Sequence, residues 1–342
     1  MWSESRWLDD LRQRMSNQGH PEDCLDDATW IAQPNGGWLV ASTDMLVEGT
    51  HFNLWDGHNA WSTPQDIGWK AAAVSLSDMA ACGATPIGLL LAIGVPPSGH
   101  SLAHPLSHPA VLQDVYEGVF ACLETFHTPL LGGDTVAATQ WTLTSTTLGT
   151  VSAVSPKAHR AMAQPGDFVA LCGWHGLSAV GLQTIQSGTP GYSLAKKIHK
   201  RPTPLLKEAK ELCQQTARLA LMDTSDGIAD AALKIANASK VFIELDFASI
   251  PLHPEIQAFA HTKLLPQEFI RHTVLYGGED FGLLACVPPQ TTLPEGWTVI
   301  GSVSQQCTES SAAVRYGDNT IEPLCGDKTF QHFGRESTKE LS

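Results

Sequence analysis

The chain has 342 residues, 43% of them apolar, which is enough for two domains that each bury a core. Its 21 Lys and Arg residues stand against 35 Asp and Glu residues, so the net charge is −14 and neither nucleic acid nor an anionic membrane is expected as a partner. The 8 cysteines show no zinc-type spacing. The apolar stretch 71–97 is interrupted by Asp78 and Pro86, and residues 1–15 lack the apolar run of a signal peptide, so we expect a cytoplasmic protein without a membrane span.

Strands and helices are predicted to alternate along the first half of the chain. Apolar, β-favouring runs predict strands, apolar residues at helical spacing predict helices, and glycine pairs predict turns. The predicted strands cover 38–42, 87–95, 130–131 and 141–151, the helices cover 64–82 and 109–126, and a turn covers 132–135.

A segment rich in Pro, Lys and Arg at 152–166 predicts a boundary between an N-terminal domain, 1–152, and a C-terminal domain, 153–342. Strands and helices alternate again after it, so the predicted fold class is α/β (α+β), with helices flanking mixed sheets. The predicted strands cover 168–172, 220–222, 241–246, 281–287 and 297–303, the helices cover 178–186, 205–218 and 228–238, and a basic loop covers 187–204.

The unusual feature of the sequence is the position of its acidic residues, which lie beside Gly, Ser or Thr at predicted strand or helix ends. Each block alone has an ordinary explanation as a turn, a helix cap or a buried ion pair, but so many in one chain favour a function. Clustered carboxylates repel one another unless cations keep them ionised, and such oxygen ligands suit Mg²⁺. The residues are Asp26, Asp27, Asp44, Asp78, Asp134, Asp223, Asp226, Glu279 and Asp280.

Other catalytic motifs are absent from the sequence. There is no GxxxxGK[ST] phosphate loop, no protein-kinase HRD with DFG, no GxSxG, no HExxH and no GxGxxG dinucleotide motif. Of the 14 histidines, only His51, seven residues after Asp44, is a candidate site residue; the alternative is a surface histidine at a strand end.

The order and spacing of the acidic blocks, from about residue 26 to 330, resemble the thiamine-monophosphate kinase family, in the superfamily of aminoimidazole ribonucleotide synthetase. The most discriminating block is TDMLVEGTHF, because its final His-Phe pair looks like the thiamine enzymes. The matching stretches are Asp26-Asp27-Ala28, STDMLVEGTHF at 42–52, KAAAVSLSDMAACGATP at 70–86, LGGDT at 131–135, RAMAQPGD at 160–167, DTSDG at 223–227 and GGEDF at 277–281.

The resemblance implies a fold of two α/β domains of the aminoimidazole ribonucleotide synthetase type. It implies a homodimer that forms through the N-terminal sheet, with the nucleotide in a cleft near the interface. The implied reaction is Mg²⁺-dependent transfer of a phosphoryl group from ATP to thiamine monophosphate, giving ADP and thiamine diphosphate.

The resemblance also implies a role for individual residues. Metal ligation falls to Asp27, Ser42, Thr43, Asp44, Asp78, Asp134, Asp223 and Asp226. Nucleotide contact falls to Gly133, Asp134, Arg160 and Ser225, and thiamine monophosphate contact falls to His51, Glu279 and Phe330. The residues implied to act in catalysis are Asp44, Asp78, Asp134 and Arg160.

Elementary electrostatics agrees with this reaction. Two like unit charges at 4 Å repel by about 4 kcal/mol at an effective dielectric constant of 20, so two phosphate groups need cations to approach. An oxygen of thiamine monophosphate is deprotonated near neutral pH and needs no strong general base. We therefore predict direct in-line transfer without a phospho-enzyme, and we predict that Asp44→Asn removes activity but not the fold.

The sequence departs from the family pattern at three places, and three alternative functions stay open. Cys24 and Leu25 precede the paired acids where Gly is usual, Ser75 replaces an Asn, and Leu177 replaces an acid.

One alternative is another ATP-dependent member of the superfamily, such as a selenophosphate synthetase, for which Cys24 is the candidate reactive cysteine. A second is a hydrogenase-maturation protein, disfavoured because the chain ends in Leu341-Ser342 rather than a cysteine. The third is a catalytically silent nucleotide-binding protein.

Overall fold

The computed structural model describes residues 26–34, 36–54, 61–96, 109–306 and 311–329, together with Trp7, Leu11, Arg14 and Met15. Phe330, the expected aromatic contact of the substrate, and Cys24 lie outside the described residues. The described part contains two mixed β-sheets with flanking helices, which confirms the predicted fold class. No helix in it is long and apolar enough to cross a membrane.

The first sheet has five strands in the order β1-β2-β5-β3-β4. Neighbouring strands are antiparallel except β3 and β4, which are parallel. The predicted strands are confirmed, although β2 is longer than predicted and carries Asp44 within it rather than after it. The strands are β1 (Thr29–Ala32), β2 (Trp38–Val47), β3 (Thr85–Val95), β4 (Leu130–Ala137) and β5 (Thr142–Val151).

The turn predicted at 132–135 is wrong, because strand β4 runs straight through these residues. Its glycines serve a close approach between strands rather than a turn. A Cβ on Gly133 would lie 1.7 Å from the carbonyl oxygen of Leu91 on β3, so only glycine fits there.

Two helices, α1 (Pro64–Ala81) and α2 (Pro109–Thr125), cover one face of this sheet. Helix α1 begins with a capping box, in which Thr63 and Asp66 satisfy each other's backbone N–H groups. The two helices cross at Gly68 and Gly118, where a Cβ would lie 1.9 Å from the carbonyl oxygen of Val115 and 2.0 Å from that of Gln65. The crossing is therefore a backbone-to-backbone contact.

The opposite face of the first sheet is exposed and apolar. Alternate residues of β2 point to the helices and to solvent, as the period of a strand requires. Met45 is 55% exposed and Leu131 is 50% exposed. The other large apolar side chains exposed on strands of this sheet are Ile31, Ile87, Leu90 and Val136.

The second sheet has seven strands in the order β12-β11-β8-β10-β6-β9-β7. Only β11 and β8 are parallel. The predicted domain division at 152/153 stays a prediction; it falls between β5 and β6. The strands are β6 (Phe168–Cys172), β7 (Ala220–Asp223), β8 (Val241–Asp246), β9 (Leu283–Val287), β10 (Trp297–Gln305), β11 (Ala312–Arg315) and β12 (Ile321–Pro323).

Six helices belong to the second half of the described chain. The loop predicted at 187–204 is wrong, because helix α4 lies within it and buries Ala195 and His199, although three of its eight residues are lysines. Helices α7 and α8 were not predicted. The helices are α3 (Leu177–Gln186), α4 (Ser193–Lys200), α5 (Leu206–Cys213), α6 (Ile228–Ser239), α7 (Pro254–Thr262) and α8 (Gln267–Tyr276).

The two halves of the chain meet along helix α1. Trp69 Nε1 donates a hydrogen bond to the Pro202 carbonyl over 2.8 Å, and the Asp66 carboxylate pairs with Arg201 at 2.5 Å. Most of α1 is buried because it packs on the first sheet and on the second half at once. This explains its run of alanines and its weak amphipathicity, and it places the polar residues of α1 between the two halves.

Candidate functional site

Four of the predicted acids converge beside helix α1. Asp44 lies on β2, Asp78 lies on α1 and Asp223 ends β7, and each has the others or Asp27 as a charged neighbour. The Ser42 hydroxyl donates to Asp78, and Ser77 Oγ donates to Asp223 Oδ2 over 2.8 Å. We call Asp27, Asp44, Asp78 and Asp223 the acidic cluster.

Burial and mutual repulsion both raise the pKa values of the acidic cluster. Burial, followed by the charge of Asp223, raises the pKa of Asp44 to about 6. Burial is also the largest cause for Asp27, Asp78 and Asp223, whose pKa values all lie above the ordinary value. A bound cation would reverse this balance, because it stabilises the ionised carboxylates.

The donor set of the acidic cluster fits a hard divalent cation such as Mg²⁺. Asp27 Oδ2 and Asp44 Oδ2 are buried and have no hydrogen-bond partner among the described residues, so both are open for a ligand. In the described ranges, no three side chains of His, Cys, Asp or Glu already converge on one point as a closed metal site. Mg²⁺ keeps several water or phosphate ligands in proteins, so a site built from few carboxylates suits it.

Arg160 lies at the edge of the cluster in a short 3₁₀ turn, Arg160–Met162. It is 8% exposed, and its guanidinium donates to Asp26 Oδ1 over 3.0 Å and to Asp27 Oδ1 over 2.7 Å. The expected nucleotide contact and an expected metal ligand are therefore paired with each other. A phosphate group could bind the Arg160 guanidinium and a cation could bind the Asp27 carboxylate, because each carries the charge opposite to that of the side chain. The two side chains would then separate.

The DTSDG loop, residues 223–227, follows β7 and leads into helix α6. Ser225 Oγ donates to Asp223 Oδ1 over 2.8 Å, which places Ser225 beside the cluster. Asp226 is more exposed and lies 3.4 Å from the ammonium of Lys234. Asp226 is thus at the rim of the site, within the electrostatic reach of Asp223.

Two of the three residues expected to contact thiamine monophosphate, His51 and Glu279, also lie close together. His51 follows β2, and its Nδ1 accepts the backbone N–H of Val47 over 3.0 Å. Glu279 lies in the GGEDF turn between α8 and β9. Lys70 of helix α1 contacts both: its ammonium donates to the His51 carbonyl over 3.2 Å and to Glu279 Oε1 over 2.8 Å. Lys70 was not predicted as a site residue, although a lysine within an alanine-rich helix was a signal.

Three predicted site residues lie away from the acidic cluster of the same chain. The Thr43 side chain points to the exposed sheet face and contacts Thr146 at 2.8 Å. In the strand register, Asp134 lies opposite Ala92, on that exposed face. Asp44 lies opposite the buried Ser145, on the helix-covered face. Asp134 and its neighbour Gly133 are also three strands from β2, or roughly 14 Å at the usual spacing of strands.

The first half of the chain matches a known protein family. Residues 25–151, which hold the first sheet and three of the four cluster acids, match the family described as AIR synthase related protein, N-terminal domain. The fold therefore places the chain in the AIR synthase class.

The relatives define the family more narrowly. The thiamine-monophosphate kinase of Synechococcus elongatus is 37% identical over 323 residues, which is 90% of each chain. The chain therefore belongs to the thiamine-monophosphate kinase family. The crystal structure of thiamine monophosphate kinase from Aquifex aeolicus is 25% identical, with a TM-score of 0.75 over 94% of this chain and 100% of that chain. A structure of AaThiL complexed with AMPPCP and TMP has the same fold, with a TM-score of 0.80 over 97% of each chain at 24% identity.

Proposed function

We propose that this chain transfers the terminal phosphoryl group of ATP to thiamine monophosphate, giving ADP and thiamine diphosphate. The observation that carries the proposal is the acidic cluster, in which two buried carboxylate oxygens have no hydrogen-bond partner in the described part of the chain and an arginine lies next to them. Membership of the thiamine-monophosphate kinase family supports it. The same fold in AaThiL complexed with AMPPCP and TMP, an ATP analogue and a phosphate ester, supports it further.

The acidic cluster would hold Mg²⁺, with Asp27, Asp44, Asp78 and Asp223 as the carboxylates nearest to one another. When bound, the ion neutralises phosphate charge, which lowers the repulsion between the two substrates. Ser42 and Ser77 orient Asp78 and Asp223 by hydrogen bonds. We propose two further ligands of Mg²⁺, which are the backbone of Thr43 and the carboxylate of Asp226 at the rim of the site.

Arg160 and Ser225 would contact the nucleotide. When Arg160 leaves Asp27, its guanidinium can bind phosphate oxygens and stabilise the charge that develops during transfer. His51 and Glu279 would hold thiamine monophosphate, with Phe330 on its ring. The phosphate of thiamine monophosphate attacks ATP directly, so no protein group carries the phosphoryl group.

A homodimer would bring Asp134 and Gly133 into the site. The exposed apolar face of the first sheet supports an interface there, since monomers rarely expose so many large apolar side chains on one surface. Asp134 lies on that face, away from the cluster of its own chain. We propose that it serves the site of the partner chain. The cytoplasmic location stays a prediction.

The experiment that tests the function is a product assay with purified protein, thiamine monophosphate, ATP and Mg²⁺, with each component omitted in turn. Thiamine diphosphate that forms only in the complete mixture is the expected result. ATP binding without product would favour another ATP-dependent member of the superfamily. Acid-stable labelling of the protein by ATP labelled in its γ-phosphate during turnover would contradict direct transfer.

A further inference from the structure

Lys70 is a buried cation with a defined set of partners. Its side chain is 2% exposed and lies on α1, between the two halves of the chain. Its ammonium donates to one backbone oxygen, that of His51, and to one carboxylate, that of Glu279. A buried ammonium is stable only where such partners compensate its lost hydration, so both contacts are needed.

Glu279 is held from three sides. Its backbone has a positive φ of 64°, and its N–H donates to the Ser225 carbonyl over 2.6 Å. One carboxylate oxygen accepts from Lys70, and the other lies 3.4 Å from His199 Nδ1. The GGEDF turn therefore connects the DTSDG loop, helix α1 and helix α4.

Lys70 supplies the charge that balances Glu279. Burial, followed by the charge of Lys70, lowers the pKa of His199 to about 4, so this histidine is neutral at pH 7. Burial alone would raise the pKa of Glu279, but the charges around the carboxylate, led by that of Lys70, outweigh burial and hold the pKa below its ordinary value. Glu279 therefore remains a carboxylate, which accepts hydrogen bonds and attracts cations.

We propose that Lys70 is a positioning residue of the thiamine monophosphate pocket, which fixes the Glu279 carboxylate relative to His51 across the junction of the two halves. His51 precedes α1 and Glu279 follows α8, and the Lys70 ammonium joins them directly. This inference rests on the proposed function, because it assigns Lys70 to the pocket of that substrate. Lys70 acts through Glu279 and the His51 backbone and not through the phosphates.

The test is steady-state kinetics of Lys70→Met, in which the side chain keeps a similar length but loses its charge. We expect KM for thiamine monophosphate to rise about 10- to 100-fold, as for loss of a hydrogen bond to a charged group, while KM for ATP changes less than about twofold. Lys70→Arg keeps a displaced charge and should raise KM for thiamine monophosphate by a smaller factor. It also serves as the readout if Lys70→Met does not fold.

A double mutant separates positioning from a general structural role. Glu279→Gln alone should raise KM for thiamine monophosphate, and Lys70→Met added to it should raise KM by less than about threefold more, because the carboxylate that Lys70 positions is already lost. The matched control is Arg315→Met. It breaks the ion pair between Arg315 on β11 and Glu244 on β8, at 3.1 Å and away from the site, and should change neither KM.

Each outcome has a definite meaning. Absence of thiamine diphosphate with the wild-type protein contradicts the proposed function itself. Product from the wild type with an unchanged KM for thiamine monophosphate in both Lys70 variants overturns the role of Lys70. Equal increases of both KM values, or full additivity of Lys70→Met and Glu279→Gln, also overturn it, since either result indicates a general structural effect.

Discussion

Each carboxylate of the acidic cluster acts against the stability of the fold in the absence of a cation. Asp44 lies in a buried site beside Asp78 and Asp223, and one of its oxygens has no hydrogen-bond partner among the described residues. A group whose function needs a ligand is often destabilising without it. The same repulsion that weakens the ligand-free fold makes the site selective for cations.

Asp44→Asn should therefore separate stability from function. The raised pKa of about 6 means that ionised Asp44 disfavours the folded state above that pH. At pH 8 without Mg²⁺, the free energy of unfolding should rise by about 1–3 kcal/mol in the variant. Kinase activity should fall to background, and added Mg²⁺ should raise the Tm less than in the wild type.

Denaturant unfolding and the product assay measure the two effects. Glu117→Gln, at an exposed position of α2, is the control and should change neither. Retained turnover of Asp44→Asn at saturating Mg²⁺ would exclude Asp44 as a required ligand.

Buried His175 predicts a specific dependence of stability on pH. Its Nε2 lies 2.9 Å from Thr224 Oγ1, and burial lowers its pKa to about 4. Below pH 6.5 the unfolded chain takes up a proton on this histidine, but the native state does not until about pH 4. This residue therefore favours unfolding increasingly as the pH falls through that window.

The comparison of wild type with His175→Gln isolates this effect from the carboxylates, whose raised pKa values act in the opposite direction. Between pH 7 and pH 4, the free energy of unfolding of the wild type should fall by about 3 kcal/mol more than that of the variant. Urea unfolding at a series of pH values measures the difference. A difference that is independent of pH would show that native His175 can take up the proton.

At the scale of elements, the contact between α1 and α2 positions the site. The helices approach so closely at Gly68 and Gly118 that any Cβ there would overlap a backbone carbonyl of the other helix. This contact holds α1, and with it Asp78, Ser77 and Lys70, against the first sheet. A shift of α1 would therefore move both the acidic cluster and the Glu279 partner.

Gly118→Ala should force the two helices apart. We expect the free energy of unfolding to fall by about 1–3 kcal/mol, as for overpacking, even though alanine favours helices. Chemical denaturation measures the loss. Gly326→Ala is a matched control, because a Cβ there meets nothing within 4 Å. Unchanged stability of Gly118→Ala would show that the helices can separate at no cost.

Elements with a clear periodicity could be predicted from the sequence. The strands at Phe168–Cys172 and Val241–Asp246 match their predicted bounds, and helix Pro64–Ala81 ends one residue before its predicted end. The continuation of strand β4 beyond Leu131 could not be predicted, and neither could helix α4. In β4 the glycines required for close approach imitate a turn, and in α4 three lysines conceal the buried face.

For the whole molecule, the position of Asp134 predicts a shared site. If Asp134 completes the site of the partner chain, Asp44→Asn and Asp134→Asn homodimers are each inactive. A mixed dimer then has one site with both mutations and one site with neither. Random exchange of subunits between equal amounts of the two variants should restore about a quarter of the wild-type activity, because half of the dimers are mixed and half of the sites in those dimers are intact.

The product assay after subunit exchange tests this prediction, and sedimentation equilibrium tests the dimer. Leu131→Asp, on the exposed sheet face, should yield monomers, because it places a charge in the proposed apolar interface. Glu117→Gln should remain dimeric. No recovery of activity on mixing would assign Asp134 to the site of its own chain.

The alternation of strands and helices, the α/β fold class and the acidic blocks that indicate a cation and phosphates depend on local periodicity and on residue type, so the amino acids alone predict them. Which acids meet depends instead on the packing of the folded chain. It brings Asp27, Asp44, Asp78 and Asp223 together, places Asp134 on the other face of the sheet, and joins Lys70 to Glu279 across 209 positions of the chain. These relations depend on how the two halves pack along helix α1, and contacts between residues so distant in sequence leave no local pattern.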